Sequence, residues 1–141
     1  MAINESIDEK LFNYIIKSIE ETPFYRSLGL KLEKAGKGYV RLSVLPDENH
    51  LNPIGMVHGG LIMSIADAAM GNAIRTLGSR GVTADISVNF LSPPKKEKPV
   101  IAEGKVVKAG KNLIFTEAKV YSEGNLVAKS QAVFFRVGEI S

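Results

Sequence analysis

The segment HGGLIMSIADAAMG, from His58 to Gly71, decides how the rest of the chain is read. Continued to about Leu77 it is apolar on all sides and too long for a strand, so it predicts a fully buried central helix beginning near Gly59. Two glycines follow the histidine at that start, and one carboxylate, Asp67, stands in the middle. Burying an acid without a partner costs several kcal/mol or forces it to take up a proton. Its position therefore asks for a physical reason.

The pattern on either side is different. In SIDEKLFNYIIKSIE, residues 6–20, Ile7, Leu11, Ile15 and Ile19 recur four apart, a helical stripe with Ser6 as its expected cap. TPFYRSLG breaks that stripe at Pro23 and Gly29. Residues 1–27 are accordingly read as an N-terminal helical segment and 28–141 as the main domain, in a chain that is one domain overall. LKLEKAGKGYVRLSVLP alternates in two runs about Gly36 and Gly38, which predicts a hairpin. After Gly78 the chain reads as sheet: TADISVNFL, PVIAEGKVVKA, NLIFTEAKVYS and NLVAKSQAVFFRV are rich in Val, Ile and Phe, with turn residues between them. The fold class is α+β, one central helix wrapped by an antiparallel sheet of five or six strands.

Composition excludes several functions. At 141 residues the chain can bury a real core, and 45% hydrophobic with 23% charged residues is ordinary for a globular protein. The net charge of +3 comes from eighteen Lys and Arg scattered among fifteen acids, so no nucleic-acid-binding stripe stands out. A basic bias of that size favours an anionic small ligand such as a phosphorylated cofactor. Absence of cysteine rules out disulfides and thiolate metal sites. The start of the chain does not read as a signal peptide. Pro53, His58, Asp67 and Asn72 interrupt the run from Leu51 to Ile74, which argues against a membrane span. The expectation is a cytoplasmic protein with no membrane or nucleic-acid partner.

Gly59 and Gly60 at a helix start would combine free N–H groups, the positive end of the helix dipole and room for a ligand carbonyl, the elements of an oxyanion hole. A glycine pair also serves a tight turn or close helix packing. Asp67 has Met63, Ser64, Met70, Gly71 and Ile74 as helical neighbours. An acid in that row is partly desolvated, as a general base would be, or is an ordinary buried acid paired with Arg75 or a backbone donor. Gly59 and Asp67 are eight residues apart, roughly 12 Å along a helix axis. One chain cannot hold a carbonyl at Gly59 and attack it with its own Asp67. Two antiparallel copies can. Asn52, six residues before His58, is placed to donate an amide hydrogen or to form a turn before Pro53. His58 is placed to donate to substrate or to brace the loop. No metal-ligand spacing, nucleophile elbow, phosphate loop or dinucleotide fingerprint is present.

NPIGMVHGG, with Asp67 at its fixed distance beyond, resembles the signature of hotdog-fold acyl-CoA thioesterases of the phenylacetic-acid-degradation type. The resemblance runs from about Leu28 to Val137 and includes VTADISVNFLSP and the closing AVFFRV. It implies that Asp67 is the catalytic carboxylate, as general base or nucleophile, and that Gly59 N–H polarises the thioester carbonyl. Asn52 and His58 match positions that place the thioester or the water. Thr83 falls where a strand hydroxyl assists the water, in the same protomer as Asp67. Lys95, Lys96 and Lys98 in SPPKKEK are placed to meet coenzyme A phosphates or simply to solvate a turn. Gly60, Met63 and Met70 are candidates for the substrate side of the site, although core packing explains the methionines as well. The expected reaction is acyl-CoA hydrolysis to a carboxylate and free coenzyme A in a homo-oligomer, a dimer or a dimer of dimers, without metal or redox cofactor. The alternatives are a non-catalytic acyl-CoA binder or sensor and a 3-hydroxyacyl-thioester dehydratase.

Overall fold

In a computed structural model, which describes residues 1–140, the apolar segment forms helix α3, Gly59–Arg75. His58 caps its start: the imidazole Nδ1 accepts from Gly60 N at 2.7 Å. Thr76 closes it, with its backbone N–H on Asn72 O and its hydroxyl donating to Ala73 O at 2.6 Å. The same hydroxyl accepts from Gly38 N at 2.8 Å, so the end of α3 is tied to a hairpin turn.

The remaining elements are β1 (Ile3–Glu5), α1 (Glu9–Glu21), α2 (Pro23–Leu28), β2 (Lys31–Gly36), β3 (Tyr39–Val44), β4 (Ser79–Phe90), β5 (Val100–Ala109), β6 (Leu113–Ser122) and β7 (Asn125–Glu139). The strands form one seven-stranded sheet in the order β1-β2-β3-β5-β6-β7-β4. All pairings are antiparallel except β1 with β2. The β6–β7 turn places Glu123 and Gly124 at φ 52° and 78°, the paired left-handed geometry that suits a tight hairpin.

The sheet wraps α3 closely because small residues line the contact. A Cβ at Gly104 on β5 would lie 2.3 Å from the carbonyl of Ala69, so only glycine lets the strand lie directly on the helix backbone. Ile62, Ile65, Ala66, Ala69, Met70, Ala73 and Ile74 fill the interface beneath it. Phe12, Ile15 and Ile19 of α1 enter the same core, so the N-terminal helices are packed onto the main domain. Among the described residues no helix is long and apolar enough to cross a membrane.

Four expectations change. The sheet has seven strands rather than five or six, the extra one being β1, three residues with no alternation to announce it. It pairs in parallel at the end of β2, inside the segment expected to be helical. The cap of α1 is Asp8, whose carboxylate accepts from Leu11 N at 3.1 Å; Ser6 sits at φ 67° and belongs to the turn before it. Pro23 does not merely end a helix but starts α2, where its missing N–H costs nothing. Finally, α3 is not buried on all sides. Gly60 and Met63 are exposed, and Ser64, Asp67 and Gly71 are half-buried, along one stripe. That stripe lies beside β4, a twelve-residue strand at the end of the sheet whose outer edge pairs with nothing among the described residues.

Candidate active site

The first half of the site is the loop that feeds α3. Asn52 Oδ1 accepts from Ile54 N at 3.1 Å and Met56 N at 3.0 Å, and its backbone N–H donates to Met56 O at 2.7 Å. The side-chain oxygen therefore makes the turn, which leaves the amide hydrogens as donors. The two readings of Asn52 are compatible. His58 N donates to His50 O at 2.8 Å, fixing the loop against the helix start. Because His58 Nδ1 accepts from Gly60, a neutral ring carries its proton on Nε2.

This cap separates the two glycines. Gly60 has spent its N–H on His58, and a Cβ there would lie 2.9 Å from the imidazole, so its bareness accommodates the histidine. Among the described residues nothing accepts the Gly59 N–H. It points out of the first turn as an unpaired donor at the positive end of the dipole. A Cβ at Gly59 would meet Phe90 Cε1 at 3.3 Å. Asn52, Met56, Val57, Gly59, Ile62 and Phe90, with Leu91 to Pro94, line an open cavity of about 340 Å³. Phe90 and the two prolines were not singled out in the sequence. Their signal was an aromatic at a strand end running straight into SPP.

The second half is Asp67 on α3 and Thr83 on β4, sixteen residues apart in the chain. Thr83 Oγ1 donates to Asp67 Oδ1 at 2.6 Å. The hydroxyl occupies one carboxylate oxygen and leaves Oδ2 open on the exposed stripe. Asp67 does not line the cavity that Gly59 lines. The two half-sites are carried by one helix, roughly 12 Å apart along its axis, and do not meet within a chain.

The other candidates separate. Met63 is 41% exposed on the stripe, whereas Met70 is fully buried in the core and so does not face the open groove. Lys95 borders a small recess with Ser92, Pro93 and Pro94, and those two prolines also line the Gly59 cavity. Lys96 Nζ lies 3.9 Å from Glu48 Oε1, a loose exposed pair that leaves its charge available.

A long helix wrapped by an antiparallel sheet is the hotdog fold of the thioester hydrolases. Residues 54–129 match the model of the thioesterase superfamily, and the chain belongs to that family. It is 30% identical over 131 residues to acyl-coenzyme A thioesterase 13 of Homo sapiens, covering 89% of this chain and 94% of that protein. The Escherichia coli PaaI protein of the phenylacetic acid degradation operon shares the fold, with a TM-score of 0.88 over 96% of this chain and 100% of that one at 22% identity. A hypothetical thioesterase protein of Streptococcus pneumoniae, solved with coenzyme A, matches with a TM-score of 0.77 and 26% identity, covering 79% of this chain and 91% of that one.

Proposed function

We propose that the protein hydrolyses acyl-CoA thioesters at a site shared between two copies of the chain. The observation that carries this is the placement of an unpaired Gly59 N–H and an Asp67–Thr83 pair on one helix, roughly 12 Å apart along its axis, beside a free strand edge. Two helices packed antiparallel bring Gly59 of one protomer against the partner's Asp67, and the reverse, giving two equivalent sites.

The thioester carbonyl oxygen accepts from Gly59 N–H, with the Asn52 amide as a second donor within the same cavity. The coenzyme A half leaves through that cavity toward Lys95 and Lys96, whose charges suit its phosphates. A water on Oδ2 of the partner's Asp67 gives up a proton to the carboxylate as its oxygen attacks the carbonyl carbon. Negative charge gathers on the carbonyl oxygen, where the helix-start N–H is already aimed. Collapse breaks the C–S bond, and the proton held by the carboxylate passes to the departing thiolate. The same geometry serves direct attack by the carboxylate, with water opening the resulting anhydride.

Human acyl-coenzyme A thioesterase 13 and the coenzyme A-bound streptococcal structure support the substrate class. A panel of acyl-CoAs assayed for thiol release tests it. Asp67→Asn should lose about a thousandfold in kcat, within the range of general-base catalysis, while acyl-CoA affinity stays within a few-fold. Wild-type protein that binds acyl-CoA without releasing thiol would favour the binding or sensing alternative.

A further inference from the structure

The helices α1 and α2 take no part in the chemistry above, yet they are fastened to the flank of the helix that carries Asp67. Asn72 is completely buried; its Nδ2 donates to Ala68 O at 2.8 Å and to Tyr25 Oη on α2 at 3.4 Å. Its Oδ1 accepts from Arg75 Nη1 at 2.9 Å, and Arg75 Nη1 also donates to Ser18 Oγ on α1 at 2.8 Å. The guanidinium lies 5.3 Å over the ring of Tyr14. A buried carboxamide needs an acceptor for each N–H, and the Tyr25 hydroxyl supplies the second. That accounts for a tyrosine rather than a phenylalanine.

At 3.6 residues per turn, Arg75 and Asn72 stand about 80° and 140° around α3 from Asp67. Thr83 and Gly81 of β4 meet the helix on its other side, at Asp67 and Ile74. The open stripe therefore runs between two banks, β4 on one and α1–α2 on the other. Tyr25 is half-buried in the second bank, and beside it Phe24 is 57% exposed, with its ring centroid 6.5 Å away. Burial raises the Tyr25 pKa above the ordinary tyrosine range, against the lowering effect of the Asn72 amide and the Arg75 charge.

If the coenzyme A half lies in the Gly59 cavity, the acyl half must leave on the far side of the carbonyl, toward the protomer that supplies Asp67. We infer that Tyr25 determines acyl specificity: its ring, pinned by Asn72, is the wall against which the acyl group lies beyond Asp67, and it limits the length and bulk accepted. This rests on the thioesterase reading above. The hydroxyl is the anchor and the ring the contact.

The test compares wild type, Tyr25→Phe and Tyr25→Ala on straight-chain acyl-CoAs from acetyl to lauroyl. It also measures the affinity of each for non-hydrolysable acyl-CoA thioethers by calorimetry. Tyr25→Ala should raise the ratio of kcat/KM for long over short acyl groups about tenfold or more, with inhibition by free coenzyme A unchanged. Tyr25→Phe should keep the wild-type ranking. An unchanged profile in Tyr25→Ala, or an equal loss on every substrate, would overturn the inference and leave Tyr25 a packing residue. If Tyr25→Ala does not fold, Tyr25→Leu keeps apolar packing, shortens the wall and is judged by the same ratio. Failure of wild type to turn over any acyl-CoA would sink the catalytic reading alone; thioether affinities whose chain-length dependence shifts in Tyr25→Ala would still support the wall.

Discussion

Thr83 has a single proton to give, and at 2.6 Å it gives it to Asp67 Oδ1. The bond occupies one carboxylate oxygen and leaves Oδ2 for the attacking water proposed above. Thr83→Val keeps the β-branched shape that suits a strand and removes only this bond. The expected result is a fall of about ten- to a hundredfold in kcat with little change in KM, whereas Thr83→Ser stays near wild type. Equal kcat in the valine and serine variants would show that the hydroxyl is not used. The sequence put Asp67 on the helix by periodicity, but only the family resemblance pointed from it to Thr83, because contacts between a helix and a distant strand leave no local pattern. Nor does spacing show that His58 spends the N–H of Gly60 and leaves that of Gly59; that division is made by a rotamer. Tyr25 was unreadable for the same reason, since its partner Asn72 lies forty-seven residues away.

Among the elements, α3 was legible because seventeen residues of apolar character can be little else. Its open stripe was not, since Gly60, Ser64 and Gly71 carry too little side chain to announce polarity. β1 escaped notice because three residues carry no alternation, and its pairing depends on where α1 brings the chain. The close approach of Gly104 to the Ala69 backbone explains how a helix with so many alanines seats in a curved sheet. Gly104→Ala would force the helix off β5 by a distance that both backbones resist. The expected cost is about 1–3 kcal/mol, read as a Tm lower by roughly 5–10 °C in thermal unfolding. A Tm within a degree or so of wild type would mean that the helix slides freely on the sheet. Because both half-sites hang from α3, activity in Gly104→Ala should fall further than the unfolded fraction alone explains.

For the whole molecule, the proposed chemistry needs a second copy, and the single chain offers a surface for one. β4 offers twelve residues of unpaired edge with no proline to blunt it, and the small-residue stripe of α3 runs alongside. A partner related by a two-fold axis would continue the sheet and cover the stripe at once. The shared site can be tested by mixing two dead proteins. Gly59→Val blocks the helix-start donor by placing a branched side chain against Phe90, already 3.3 Å from the position of a Cβ. Asp67→Asn removes the carboxylate proposed to drive the attack. In a mixed dimer one site combines both defects, while the other keeps Gly59 from the Asp67→Asn chain and Asp67 from the Gly59→Val chain. Random pairing makes half the dimers mixed with one of two sites intact, so co-refolding should restore about a quarter of wild-type turnover. A site contained within one chain predicts no recovery at any mixing ratio, because every chain then carries a broken centre.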